Sequence, residues 1–478
     1  MNIHAPTAPA LTPDTLADAK PALKRPRYDR DRTQIGIVHF GPGAFHRAHQ
    51  ACYVDDLLVF DPRWAISAVS LQNPGVRDAL KPQHGLYTLA ILDEQPIYRV
   101  IGSIKEVLVA PEDPETVLAR LTVPATKVVT ITVTEKGYCL DAAGALNTAH
   151  PTIRSDLTAP SRPQSLIGYL AEGLRRRRAN GMKPFAVISC DNLTGNGARL
   201  RNAVVTYARN LDRDLAAWIE GEAPFPRTMV DSITPATDDA LRERVCAATG
   251  LADAWPVQRE AFTQWVIEDI PHLGPDWQSV GATLTGDVAA YERAKLRLLN
   301  GAHSSLAYLG LLKGYETVEE AMRDAELANF IQMLMREDIA PTVRPPRDLD
   351  LDAYIAGILA RFRNPAVRHL LSQIAWDGSQ KLPIRLMGTI ADNLISGGRI
   401  ERLCRAIAAW MRFTRRQFSA GVTLVDPLAR ELQRCAGLNA NPALEVAAYL
   451  DLREIFPRPL ADNAAFRACL TEAYIALG

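Results

Sequence analysis

Apolar positions change rhythm partway along the chain. In the first part they come as short continuous runs. Residues 34–40, Gln-Ile-Gly-Ile-Val-His-Phe, predict a buried strand. Gly41-Pro42-Gly43 breaks the run, and residues 44–60 predict a helix with Ala44, Ala48, Ala51, Cys52, Leu57 and Leu58 as its apolar positions. Residues 64–71, 127–134 and 184–190 predict further strands, the last followed by a long helix from Gly197 to about Glu220. Strands alternating with helices imply an α/β fold, a parallel sheet covered on both faces.

Beyond about residue 286 the rhythm is helical, over 291–314, 318–336, 351–361, 365–375, 400–413 and 441–453. The expected organisation is a loose arm over 1–33, rich in Pro, Ala and charge, then an α/β domain over 34–286 and a mostly α-helical domain over 287–478. A chain of 478 residues is too long for one ordinary core, which agrees with two domains.

Composition narrows the function classes. Lys plus Arg equals Asp plus Glu at 54 each, so nothing argues for nucleic acid or an anionic membrane as partner. The seven cysteines, at 52, 139, 190, 246, 404, 435 and 469, form no CxxC pair. We expect reduced thiols in a cytoplasmic protein, with neither a disulfide framework nor a Cys-based zinc site. No HExxH or Cys/His cluster suggests another metal. No apolar run reaches the roughly 20 residues of a membrane span, and no apolar core of a secretory leader opens the chain.

Candidate chemistry begins at the first strand-to-helix turn. Gly41 permits a tight turn, and Gly43 lets a pyrophosphate approach the backbone where Ala44 and Phe45 open the helix. This is a Rossmann-type dinucleotide signal lacking its third glycine, since His46 stands there. A plain strand-to-helix turn would share the first two. The second strand ends Ser70-Leu71-Gln72-Asn73, without the acid that usually binds the adenosine ribose. The turn points to a dinucleotide, and without that acid the choice between NAD and NADP stays open at this point.

The stretch from Tyr291 to His303 is the most informative. At about 100° per residue, Lys295, His303 and Asn300 fall at roughly 0°, 80° and 140° around a helix. An amine, an imidazole and a carboxamide on one face can handle an alcohol proton and hold an alkoxide. The ordinary alternatives are a solvated lysine and a structural histidine. Tyr291 and Lys295 also match Tyr-x-x-x-Lys of short-chain dehydrogenases, but that pair belongs inside the nucleotide domain, and the accompanying glycine turn is absent.

Gly41-Pro42-Gly43-Ala44-Phe45-His46-Arg47-Ala48-His49-Gln50 resembles the G-x-G-x-F-H-R-A-H-Q signature of the mannitol dehydrogenase family of polyol-specific long-chain dehydrogenases. Lys295, Asn300 and His303 match its K-x4-N-x2-H motif. Thr132 to Tyr138, Ser189 to Asn192, Met229 to Asp231 with Ile233 to Pro235, and Trp265 to Asp269 resemble further family segments in order. The resemblance implies a metal-independent dehydrogenase with its active site between the two domains and NAD as its cofactor, with NADP not excluded. It implies Lys295 as general acid/base, Asn192 and Asn300 as the oxyanion pair, His303 as the substrate-orienting residue, and Asp231 and Glu135 as active-site acids. A nucleotide-sensing protein without turnover and a zinc alcohol dehydrogenase are the rival classes.

The substrate implied is a small open-chain sugar derivative. Asp377-Gly378-Ser379-Gln380-Lys381-Leu382-Pro383 resembles the version of this block in the fructuronate reductase branch of the family. A uronate carries a carboxylate that a polyol lacks, and Lys381 and Arg385 are the candidate cations for it. Interconversion of mannitol and fructose, or oxidation of another polyol such as arabinitol, is the alternative.

Overall fold

Strands β1 (Ile35–Phe40), β2 (Ala65–Ser70), β3 (Tyr87–Leu92), β4 (Ile97–Ile101), β5 (Ile104–Val109), β6 (Val128–Ile131), β7 (Ala186–Ser189), β8 (Thr228–Asp231), β9 (Val257–Glu260), β10 (Gln264–Glu268) and β11 (Thr283–Thr285) all lie in the first part of the chain. The structure is a computed structural model describing residues 8–141, 143–271, 273–436 and 441–478. The chain divides into two compact units, Met1–Val288 and Ala289–Gly478.

In the first unit five strands form one sheet in the order β5-β2-β1-β6-β7, with every pairing parallel. Side chains alternate across it, as period two requires. Val38, Phe40, Val69, Val129, Ile131 and Val187 pack on one face, against the helices Leu166–Ala179 and Asn196–Leu211. Ile37, Ile66, Ala68, Val128, Ala186 and Ile188 pack on the other, against helices α1 (Ala44–Ala48) and α2 (Gln50–Leu57). Parallel strands buried on both faces read as continuous apolar runs, which is why these were legible. The order reverses between β1 and β6, and ligands of such sheets bind beyond the carboxyl ends at that reversal.

Two three-stranded sheets, β11-β10-β8 and β4-β3-β9, complete the unit. Neither they nor β5 is predicted from sequence. β9 is Val-Gln-Arg-Glu, polar in composition yet buried along its length.

The segment expected to be a loose arm is packed from residue 8 onward; residues 1–7 lie outside the described residues. Leu11 and Leu23 join Leu86, Val100 and Leu251 in a small core. Ala10 bridges Ala252 and Lys24 bridges Arg99. Arg30 donates to the carbonyls of Gly102 and Ile104, both at 2.7 Å. A few apolar anchors outweigh a polar, proline-rich composition. The helix expected over 44–60 also breaks in two, at His49 (φ −121°, ψ −89°).

In the second unit every regular element among the described residues is helical. Helix α3 (Ala302–Lys313) is buried almost all round, as a central helix must be. It packs against Leu371–Ala375 and against α4 (Glu401–Ser419), which in turn packs against α5 (Ala464–Ala476). Three segments are π-helical: Lys295–Gly301, Leu334–Ile339 and Pro383–Met387. Of residues 365–375, only Leu371–Ala375 is helical. Among the described residues no helix is long and apolar enough to cross a membrane.

Candidate active site

The turn after β1 is built by two glycines with different jobs. Gly41 has φ +89°, and a Cβ there would stand 2.2 Å from the Thr132 carbonyl oxygen at the end of β6. Only glycine fits. Gly43 has an ordinary φ of −69°. The nearest atom to a Cβ at Gly43 would be the Gly41 oxygen, 3.9 Å away, so the space over its backbone is open. The first-turn amides of α1, from Ala44 and Phe45, are ones no helical carbonyl can satisfy. An open glycine beside such amides at the switch point fits a dinucleotide pyrophosphate.

His46 occupies the place of the missing third glycine. Its ring stacks on His39, 3.3 Å between centroids and 8° from parallel. His39 Nδ1 lies 2.7 Å from Thr130 Oγ1, and its Nε2 lies 3.0 Å from Thr132 Oγ1 and 3.2 Å from the Gly41 carbonyl. Burial pushes His39 down to about 3 and His46 well below the usual histidine range. Both nitrogens of His46 are buried without a hydrogen-bond partner.

Beyond the carboxyl ends of β6 and β7 the loops are joined by Asp191. Its carboxylate accepts hydrogen bonds from the amides of Val133 and Thr134, each at 3.0 Å, and from the Tyr138 hydroxyl at 2.7 Å. Burial raises its pKa, and these donors oppose the rise. Thr134 is held at φ +65°, a conformation that costs a non-glycine residue. Glu135 follows it, opening the turn Glu135–Tyr138 with an exposed side chain. Asn192 sits just past Asp191, also exposed. Both lie a few residues beyond the strand ends rather than on them. Asp231 ends β8, buried and paired with Gln264 of β10, in a different sheet.

In the second unit the π turn Lys295–Gly301 decides how the motif is displayed. Its hydrogen bonds run i→i+5, so residues five apart stand one above the other. Lys295 and Asn300 are such a pair, and Asn300 and His303 are three apart in the following turn. The three therefore line one narrow stripe, tighter than the roughly 140° spread expected of a uniform α-helix. Lys295 and His303 are buried and Asn300 is half-buried.

His303 lies 5.1 Å from Phe362, nearly parallel, and meets His369 edge-on at 4.7 Å. Burial first, then the charges of His369, Arg385, Arg361 and Lys381, holds it well below the usual histidine range. Its Nε2 is buried without a partner. Arg385 donates to Ser304 Oγ at 2.8 Å and, at 3.5 Å, to the Asn300 carbonyl. Lys381 donates to the Ile374 carbonyl at 3.2 Å. Burial, reinforced by Arg385, pushes Lys381 down to about 8, and burial pushes Arg385 down to about 10. Among the described residues neither cation has a carboxylate within ion-pair distance.

Within the first unit the structure places the glycine turn and the Glu135 and Asn192 loops at the carboxyl ends of β1, β6 and β7. Within the second it places His303 beside Lys381 and Arg385, and Lys295 and Asn300 on its stripe. Sequence reasoning missed Asp191, although it stands in the Ser189 to Asn192 segment, and His369, which no motif marks. Among the described residues no three His, Cys, Asp or Glu side chains are grouped as a metal site.

Comparison with known proteins covers nearly the whole chain. Residues 35–279 match the mannitol dehydrogenase Rossmann domain, and residues 287–478 the mannitol dehydrogenase C-terminal domain. D-mannonate oxidoreductase of Escherichia coli is 43% identical over 96% of each chain. A mannitol 2-dehydrogenase of Aspergillus fumigatus is 38% identical over 94% of this chain and 92% of its own. The Pseudomonas fluorescens mannitol 2-dehydrogenase, solved as a ternary complex with NAD and D-mannitol, superposes with a TM-score of 0.85 at 37% identity, covering 98% of this chain and 96% of that one. The chain belongs to the mannitol dehydrogenase family and is a secondary-alcohol oxidoreductase.

Proposed function

We propose that this chain reduces the ketone of an open-chain uronate with NADH, D-fructuronate to D-mannonate being the reaction. The observation that carries the reading is the pair Lys381 and Arg385, two half-buried cations near His303 that have, among the described residues, no carboxylate within ion-pair distance. Cations drawn partly out of water gain from an ionic partner, and a carboxylate on the substrate would supply one. The similarity to a D-mannonate oxidoreductase supports the same choice.

Gly41, Gly43 and the first-turn amides of Ala44 and Phe45 would hold the dinucleotide. When bound, it supplies or accepts the hydride. Lys295 gives a proton to the carbonyl oxygen in reduction and takes it back from the alcohol in oxidation. Asn192 and Asn300 donate carboxamide N–H groups to the oxygen as charge gathers there. His303 offers Nε2 to a substrate hydroxyl, and Lys381 and Arg385 hold the carboxylate. Asp231 and Glu135 supply the acids of the site, and Asp191 positions the Glu135 loop. Gln72 and Asn73 would not repel a 2′-phosphate, so the choice of NADH rests on the family resemblance and on the solved relative that carries NAD.

Steady-state kinetics with fructuronate, tagaturonate, fructose and xylulose, each with NADH and NADPH, test this reading. The expected result is the highest kcat/KM with fructuronate and NADH. A higher kcat/KM with fructose returns the chain to mannitol–fructose interconversion. Tight NADH binding without turnover of any ketone would make it a nucleotide sensor.

A further inference from the structure

The segment Val367-Arg368-His369 carries an imidazole that the proposed reaction does not use. Its backbone is fastened on both sides. The His369 amide donates to the Val367 carbonyl at 2.9 Å, its carbonyl accepts from the Val318 amide at 3.0 Å, and the neighbouring Leu370 bridges Thr317. The ring is thereby delivered edge-on to His303, with 4.7 Å between centroids and 66° between planes. His303 Nε2 and His369 Nδ1 are both buried without a hydrogen-bond partner. A buried ring nitrogen with no partner forfeits the bond it had in water, so native interiors rarely leave one. Here two stand on rings in contact. The charge of Lys381 bears on both rings, which gathers the three side chains around one spot. Burial, reinforced by Lys381, pushes His369 down to about 4, so both imidazoles are neutral at pH 7. A neutral imidazole does not pair with a carboxylate as an ammonium does. It offers one N–H donor and one lone pair, the complement of a hydroxyl.

We infer that His369 is a further specificity-determining residue of this pocket, hydrogen-bonding through Nδ1 the substrate hydroxyl next to the one that His303 takes. The inference rests on the reading that His303 and Lys381 line the ketone's pocket, and not on which ketone it is. Two imidazoles in contact can each hold one of two adjacent hydroxyls. The ligand they fit is an open-chain ketone carrying a vicinal diol, any charged end being left to Lys381 and Arg385. A site built to hydrogen-bond a hydroxyl rejects an analogue that lacks it, because its own buried nitrogen is left unpaired. The pair therefore selects polyhydroxy ketones against simple ones.

The test is steady-state kinetics on the full chain with NADH and whichever ketone it reduces best, set beside the monodeoxy analogues of that ketone. In the wild type, removing either of two adjacent hydroxyls should raise KM about tenfold, the worth of one hydrogen bond. His369→Phe keeps a ring in place and removes both nitrogens. It should raise KM for the parent ketone about tenfold, while KM for one of those two analogues and KM for NADH stay as in the wild type. His369→Asn, whose carboxamide can stand in for Nδ1, should recover part of the loss. A His369→Phe variant that loses equally with the parent and with every analogue, or that loses nothing, overturns the inference. Should that variant fail to fold, the wild-type series decides: unless two adjacent hydroxyls both matter, the inference is wrong. A preference for fructose over fructuronate would overturn the carboxylate reading and leave this result standing.

Discussion

His46 lies face to face on His39, so the contact between β1 and α1 is made by two stacked imidazoles where a third glycine would have let backbones touch. Both rings are neutral at pH 7 because burial depresses them. In the unfolded chain each takes a proton below about pH 6.5, while in the folded chain it does not. The unfolded state then binds more protons, so stability falls as pH drops below about 6.5, by about 1.4 kcal/mol per pH unit for each such ring. His46→Leu should flatten the decline between pH 6 and 5 by about that amount. Denaturant titrations of both proteins at pH 5, 6 and 7 read the difference, and equal slopes would mean His46 is protonated in the fold.

Lys295→Ala removes the assigned proton carrier. Turnover should fall about 10²–10⁴-fold, the scale of a lost general acid/base. NADH affinity should hold, because the dinucleotide is assigned to the turn after β1. Near wild-type turnover across the pH range would take Lys295 out of the chemistry.

Asn192→Ala and Asn300→Ala each remove one of the donors proposed for the developing oxyanion, and each should cost roughly 10²–10³-fold in kcat. The loss should appear in single-turnover rates and leave cofactor affinity nearly unchanged. Variants that only melt earlier, with kcat intact, would make the carboxamides structural.

Lys381, depressed to about 8, is protonated at pH 7 and loses its charge as pH rises through 8. The KM for fructuronate should climb between pH 7 and 9, approaching tenfold per pH unit for a single required proton, while that for fructose follows other groups. Lys381→Met should raise KM for fructuronate about 10–100-fold, the worth of a charge-assisted hydrogen bond. Equal effects on the two ketones would show that Lys381 does not read a carboxylate.

The parts legible in sequence share one property, a strong period with clear punctuation. β1, its glycine turn and the start of α1 could be read because Ile37, Val38 and Phe40 are apolar and Gly41 ends the run. β9 could not, because Gln258, Arg259 and Glu260 are polar and buried by neighbours distant in sequence. Lys295, Asn300 and His303 were legible as a motif, but their display was not, since a π turn leaves no mark in a count of 3.6 residues per turn. His369 meets His303 across a gap in sequence that no local pattern spans.

That motif also encodes more than its three identities. On an ordinary helix, side chains that share a stripe recur at intervals of four and then three. Here the intervals are five and three, one residue too many, and the surplus is the wide turn itself. A chain one residue shorter between Lys295 and Asn300 would present the same stripe from a plain α-helix. The longer form instead sets Gly301 against the Pro383–Met387 segment, where a Cβ would stand only 3.1 Å from the Arg385 carbonyl oxygen. The surplus residue thus couples two jobs in one length of chain, since the turn that aligns the three motif side chains also brings their helix against the backbone of Arg385.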